Sequence, residues 1–284
     1  MSRTVIIGRS GQVASALQHL RPDALVLGRD ACDLSDPPAA AAALARVIGG
    51  ASAVINAAAW TAVDRAEAEE PAATTVNATS PGALALVAAD AGVPFLHIST
   101  DYVFDGGGSA AFTPDNPTGP LSAYGRSKLA GEIAVRAARG PHVILRTSWV
   151  FSAHGANFVK TMLRLGAGRP TLSVVADQTG GPTPALAIAG ALLTIADAFA
   201  AGQGHSDTFH LSGAPDVTWA DFARAIMTQA RLPATVTDIA TSAYPTPARR
   251  PANSRLDCAS LRLAYGIARP DWRAGLRDVL DQLT

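Results

Sequence analysis

At 284 residues the chain can form one large or two closely joined domains around an ample core, and its 23 basic and 23 acidic side chains cancel, giving no overall attraction to nucleic acid or anionic membrane. Cys32 and Cys258 lack paired spacing and the six histidines are scattered, so neither a disulfide scaffold nor a metal centre is expected. Met1-Ser2-Arg3 leads straight into an apolar run, and the best apolar stretch, 185 to 196, is stopped by Asp197 well short of a bilayer span; a cytoplasmic protein is expected.

Thr4 to Ile7 predicts a first strand, and Gly8-Arg9-Ser10-Gly11-Gln12-Val13-Ala14 a tight turn opening a helix. Gly8, Gly11 and the small Ala14 would let backbone amides approach a pyrophosphate at the positive helix end. An ordinary glycine turn is the alternative, but its place after the first strand of a β-α-β unit favours a dinucleotide. The second strand, 24 to 27, leads to Gly28-Arg29 where an acid would select a free 2′-hydroxyl. Arg29 suits a 2′-phosphate, so NADPH is preferred and NADH remains open; a surface charge is the competing reading. Asp33 can approach the adenine, and Ser35 or Asp36 can cap the Ala-rich helix that follows.

A third strand, 53 to 55, runs into Asn56 and the small residues Ala57 to Ala59 at the ligand-binding edge of an open sheet. Asp64 and Glu67 have capping-box spacing and are read as helix-start residues, while Asn77 is an awkward helix residue that bridges backbone near the site or caps locally. The fourth strand, 93 to 98, delivers Ser99-Thr100-Asp101, whose Thr100 hydroxyl could meet a substrate carbonyl or simply form a turn. Residues 105 to 120 read as a loop, and 124 to 139 as a helix with Glu132 and Arg136 as an ordinary exposed pair. At its start Tyr124 and Lys128 stand one turn apart on one face, where an ammonium would favour the phenolate of a general acid.

Further on, 143 to 145 predicts another strand, Asn157 to Leu165 a short helix, 184 to 199 an apolar helix and 208 to 211 a strand returning to the main sheet. Helices over 219 to 229 and 272 to 283 are amphipathic, and His154, His205 and His210 are read as structural. The expected architecture is α/β: a Rossmann-type doubly wound parallel sheet from 1 to 147 with a return segment, 183 to 212. A smaller interleaved C-terminal substrate-binding lobe takes 148 to 182 and 213 to 284.

The glycine turn, Asn56-Ala57-Ala58, Ser99-Thr100-Asp101 and Tyr124-Gly125-Arg126-Ser127-Lys128 together resemble the extended short-chain dehydrogenase/reductases. Ala59-Trp60-Thr61-Ala62-Val63-Asp64, Arg146-Thr147-Ser148-Trp149-Val150-Phe151 and Tyr244-Pro245-Thr246-Pro247-Ala248-Arg249-Arg250-Pro251 with Asn253-Ser254-Arg255-Leu256 are similar to the dTDP-4-dehydrorhamnose reductase family within them. The likeness covers essentially the whole chain. It implies that Tyr124 is the proton donor, that Lys128 binds the nicotinamide ribose and lowers the phenol pKa, and that Thr100 orients the keto oxygen. It further implies that Gly11, Gln12 and Val13 hold the pyrophosphate, Asp33 and Leu34 flank adenine, Ala59, Trp60 and Thr61 line the cofactor path, and Thr100, Asp101 and Trp149 contact the sugar nucleotide.

Arg249, Arg250 and Arg255, with Asn253, concentrate positive charge in a Pro-rich loop that can receive a diphosphate; arginines paired with surface carboxylates are the alternative. The implied reaction is NADPH-dependent reduction of the C4 ketone of dTDP-4-dehydro-β-L-rhamnose to dTDP-L-rhamnose, the last step of dTDP-rhamnose biosynthesis. A reductase of another nucleotide-linked keto sugar and a non-catalytic NADP-binding regulatory subunit are the alternatives. The expected partner is a dTDP-sugar, with no nucleic acid or membrane. A homodimer fits the pattern, but Ala16 replaces the acidic residue that joins a magnesium-linked dimer in some relatives, so a metal bridge is not expected.

Overall fold

The computed structural model describes residues 3–283, so Met1 and Ser2, named above as leading into the first strand, lie outside the described residues. Strand β1 (Arg3–Ile7) is followed by α1 (Gln12–Leu20), β2 (Leu25–Leu27), α2 (Pro37–Ala45) and β3 (Ala51–Asn56). Asp36 caps α2 by accepting from the Ala39 amide, and Pro37 occupies the first turn, where its missing N–H costs nothing. Short helices α3 (Val63–Ala68) and α4 (Glu70–Thr74) run through a π turn, Thr75–Thr79, into α5 (Ser80–Asp90). Then come β4 (Phe95–Thr100), α6 (Ala123–Ala137) and β5 (His142–Thr147).

Beyond β6 (Val150–Phe151) lie α7 (Phe158–Gly168), β7 (Thr171–Val175), β8 (Thr179–Gly180), β9 (Thr183–Pro184) and α8 (Ala185–Ala200). The chain continues through β10 (Asp207–Leu211), β11 (Val217–Thr218), α9 (Trp219–Gln229) and β12 (Thr235–Ile239). It closes with β13 (Asn253–Ser254), α10 (Ala259–Tyr265) and α11 (Trp272–Asp281).

Six strands form one parallel sheet in the order β2-β1-β3-β4-β5-β10, with β10 joining β5 from a distant part of the chain. Parallel strands buried on both faces need apolar residues on both, and the runs in β1, β3 and β5 supply them. One face packs Ile6, Ile55 and Leu145 against α1 and α8, and the other packs Val5, Val54 and Ile144 against α2 and α5. The neighbours β1 and β3 mark the topological switch, where ligands of such sheets bind beyond the strand carboxyl ends.

A third core gathers Phe151, Val159, Met162, Phe222, Ile226, Trp272 and Leu276, all from positions after the fifth sheet strand. It is framed by the parallel pair β7 and β12 and by the small sheet β11-β8-β13. Asn157, Thr218 and Asp271 cap its three helices, each accepting a backbone amide of the first turn. Helix α10 leaves this core and packs Leu261 and Tyr265 against the sheet side. No helix among the described residues is long and apolar enough to cross a membrane.

Two local expectations are corrected. Glu132 and Arg136 are not an ordinary exposed pair: Glu132 is fully buried in α6 and accepts from Arg146 through two nitrogens at 2.8 and 2.7 Å, from Ser99 at 2.6 Å and from Arg136 at 3.0 Å. The i,i+4 bond forms, but strands β4 and β5 cover Glu132 with Ser99 and Arg146. Asp64 and Glu67 do not form a capping box either, because α3 starts at Val63 without a side-chain cap. Asp64 instead accepts from Arg250 at 2.8 Å and the Ala248 amide at 3.2 Å, and Glu67 from the Ala123 amide at 2.9 Å. Each carboxylate found a distant donor that local spacing does not reveal.

Candidate active site

The turn after β1 owes its shape to Gly8, whose φ of 110° is left-handed territory, and an added Cβ would sit 3.2 Å from the Ala58 amide nitrogen. Gly11 stands at the N-cap of α1 and no side chain caps that helix, so its first-turn amides are free for an anion. Val13 is buried beneath the turn. Gln12 reaches across to the other side of the cleft: its Nε2 donates to Val150 O at 3.3 Å, and its Oε1 accepts from Ser152 at 3.1 Å and Asn157 at 3.0 Å. The amide side chain thus ties the glycine turn to the segment leading into α7, a link that glycine spacing does not announce.

At the end of β2, Arg29 is exposed and lies 3.9 Å from Asp33. Arg9 joins it from the glycine turn, paired with Asp30 at 3.0 Å. Sequence reading missed Arg9 because only folding brings the first turn over Gly28. Asp33 also accepts from the Ser35 amide, which with the Ser35 hydroxyl holds its carboxyl below the usual range. Leu34 is buried, and its carbonyl accepts from Ser80 at 2.7 Å.

Beyond β3, Ala59 and Thr61 are exposed and Trp60 is half-buried. Asn77 is a bridge and not a local cap: Oδ1 accepts from the Trp60 amide at 2.8 Å, while Nδ2 donates to Trp60 O at 3.1 Å and to Ser127 at 2.9 Å. It binds the loop after β3 to α6. That helix can approach so closely because Gly125 and Gly131 present no Cβ, which would otherwise collide with the carbonyls of Tyr102 and Asn77.

Ser122 caps α6 and so fixes Tyr124 and Lys128 on its first turns. Lys128 is buried, with Nζ donating to Ile98 O at 2.7 Å and lying 3.2 Å from His97 Nε2. Burial pulls the ammonium down to about 8 against the favourable charge of Glu132. His97, fully buried with Nδ1 3.1 Å from Asn56, is held neutral by burial and by Lys128. It is a supporting side chain that the sequence reading passed over as part of a strand. Tyr124 packs edge-on against Tyr102 with ring centres 5.5 Å apart. Burial pushes its phenol up to about 12, offset in part by the Thr100 hydroxyl and reinforced by the charge of Asp101. The lowering expected from Lys128 does not appear: burial and Asp101 raise the phenol, and the Thr100 hydroxyl opposes them.

Thr100 and Asp101 are both buried at the end of β4, with Thr100 Oγ1 donating to Asp101 Oδ1 at 3.0 Å. Trp149 follows β5 with a φ of 49°, a conformation costly for a bulky side chain and a pointer to function. Its indole stacks on Trp219 with centroids 3.5 Å apart, forming an aromatic platform over Gly180.

The arginines of the 244 to 256 loop separate. Arg250 is paired with Asp64, Arg255 bonds Asn253 Oδ1 at 3.1 Å, and Arg249 is exposed. Asn253 is buried and spends its Nδ2 on Gly107 O at 3.3 Å and Ala110 O at 2.8 Å, so it holds the 105 to 120 loop in place. The remaining candidates form two neighbouring groups: a glycine turn with a cationic rim, and a Thr100, Tyr124 and Lys128 cluster.

The sheet, the glycine turn and the Tyr-x-x-x-Lys helix define the chain as an α/β nucleotide-binding protein of the short-chain dehydrogenase/reductase type. Residues 2–284 match the family model described as the RmlD substrate binding domain. The dTDP-4-dehydrorhamnose reductase of Sinorhizobium fredii is 44% identical over 97% of this chain and 95% of its own, and that of Escherichia coli K12 is 38% identical over 98% and 97%. A crystal structure of such a reductase from Clostridium acetobutylicum superposes with a TM-score of 0.91 at 34% identity, covering 99% of each chain. That of the Bacillus anthracis enzyme in complex with NADP gives 0.90 at 31% identity, covering 99% of this chain and 100% of that one. The chain belongs to the dTDP-4-dehydrorhamnose reductase family.

Proposed function

We propose that the protein reduces the C4 ketone of dTDP-4-dehydro-β-L-rhamnose to dTDP-L-rhamnose with NADPH, acting in the cytoplasm. The observation that carries this reading is the convergence of the Thr100 hydroxyl, the Tyr124 phenol and the buried Lys128 ammonium beside the glycine turn, in a chain of this family. The uncapped α1 N-terminus and the Cβ-free approach of Gly8 to Ala58 fit a dinucleotide pyrophosphate. Gly8, Gly11, Gln12 and Val13 would hold that group, with Arg29 at the ribose phosphate, Asp33 and Leu34 at adenine, and Ala59, Trp60 and Thr61 along the path. NADPH supplies the hydride when bound.

Tyr124 donates a proton to the oxygen that becomes the alcohol, and Lys128 holds positive charge at the base of the site. Thr100 orients the ketone oxygen. Trp149 would offer its stacked indole to the sugar nucleotide, with Asp101 as a further contact. For the diphosphate, Arg249 and Arg255 are the better donors, since Arg250 is already neutralised by Asp64.

Purified protein is expected to oxidise NADPH with dTDP-4-dehydro-L-rhamnose and to be slower with GDP- or UDP-linked keto sugars. No turnover of the dTDP substrate would end this reading. Arg29→Asp is expected to weaken NADPH binding relative to NADH by about tenfold, the scale of one lost charge-assisted contact. Arg9 stands beside it, so the double variant Arg9→Ala, Arg29→Asp should shift the preference further; an unchanged cofactor ratio in both would show that neither reads the 2′-phosphate.

A further inference from the structure

Thr100 has one hydrogen to give, and Asp101 takes it. Its Oγ1 donates to Asp101 Oδ1 at 3.0 Å and accepts from the Tyr102 amide at 3.2 Å. An ionised carboxylate only accepts, so the hydroxyl hydrogen stays with it and a ketone oxygen arriving at Thr100 meets lone pairs. That is the wrong polarity for orienting a carbonyl. Asp101 is buried, and its second oxygen, Oδ2, makes no hydrogen bond. A bare buried carboxylate oxygen favours the neutral acid.

We propose that Asp101 is a positioning residue that gates Thr100: the site is productive when the Asp101 carboxyl is protonated, because its O–H then donates to Thr100 and turns the Thr100 hydrogen toward the ketone. The inference rests on the proposed reduction and deepens it. One proton joins the carboxyl from solvent as the pH falls, and none passes between Asp101 and substrate.

The surroundings allow both charge states near neutrality. Burial pushes the Asp101 carboxyl up to about 6, against the pull of the Ser254 and Thr100 hydroxyls and of the Asp101 and Tyr102 backbone amides. The Ser254 hydroxyl comes from β13, the Thr100 hydroxyl from β4, the Tyr102 phenol from the adjoining turn and the Tyr124 phenol from α6. The neighbouring cation, Arg250, acts on Tyr102 and is already paired with Asp64. Ionised Asp101 also raises the Tyr124 phenol, making it a poorer donor. Hydrogen-bond direction and charge therefore act with the same sign.

At saturating NADPH and dTDP-4-dehydrorhamnose, kcat of the wild type is expected to fall at least about tenfold between pH ~5 and ~8. In Asp101→Asn the carboxamide donates to Thr100 at every pH, so that fall should vanish. A flat wild-type profile, or the same fall retained in Asp101→Asn, overturns the gate. A readout without turnover comes from 13C NMR of aspartate-labelled wild type, in which one carboxyl should titrate near pH 6 and shift in Thr100→Val. If every carboxyl titrates in the ordinary range near ~4, the gate is overturned even if Asp101→Asn does not fold. Should the wild type leave this substrate untouched, the proposed reaction fails, and the carboxyl titration alone decides the gate.

Discussion

Tyr124→Phe is expected to lower kcat by about 10²- to 10⁴-fold, the range for loss of a positioned general acid, while NADPH binds within about twofold of the wild type. The phenyl ring keeps the edge-on contact with Tyr102 and leaves Ser122 capping α6, so only the O–H is removed. Stopped-flow hydride transfer and fluorescence titration of NADPH separate the two effects. Near-normal turnover would move the proton donor elsewhere. Because burial pushes the phenol up to about 12, Tyr124 is expected to stay protonated near neutral pH and, as the proposed donor, to give its proton only as charge develops on the substrate oxygen.

Arg146→Met is expected to destabilise the protein by about 3–5 kcal/mol, the scale for leaving a buried charge without its partner. Both charged side chains of the Arg146–Glu132 pair are almost wholly enclosed, and Arg146 also donates to Pro114 O at 3.1 Å in the loop before α6. Burial alone would raise the Glu132 carboxyl, but Arg146, Ser99 and Arg136 bring it below its ordinary value. A carboxyl lowered by folding adds stability above its unfolded pKa and loses it as the pH falls through the folded value, so the wild type should lose this contribution only in acid. Urea unfolding at neutral pH measures the cost. The double variant Glu132→Leu, Arg146→Met should be less destabilised than Arg146→Met alone; an equal or larger loss would mean packing, not charge, dominates.

The partners of Glu132 also explain where sequence reading stopped. Its i,i+4 relation to Arg136 is visible in the chain and the bond exists, yet whether that face meets water depends on strands β4 and β5, which supply Ser99 and Arg146. Asp64 fails in the same way, since its capping-box spacing is local but its arginine lies far down the chain. Asn77 could be marked as awkward in a helix, but only the closed fold supplies Trp60 and Ser127 to receive it. His97 gave no signal, because a histidine in an apolar strand shows neither its depth nor the lysine above it.

By itself the sequence determined the parallel α/β plan, the glycine turn, the Tyr124 and Lys128 helix face and the family, because strand and helix periodicity and short motifs depend on neighbours along the chain. Tertiary structure alone decided the charge environment of the site: that burial drives Lys128 down and Asp101 up, that Arg250 is already neutralised, and that the Thr100 hydrogen is given to Asp101. Desolvation and hydrogen-bond direction are set by what closes over a group from every side, and that information is spread over segments far apart in the chain.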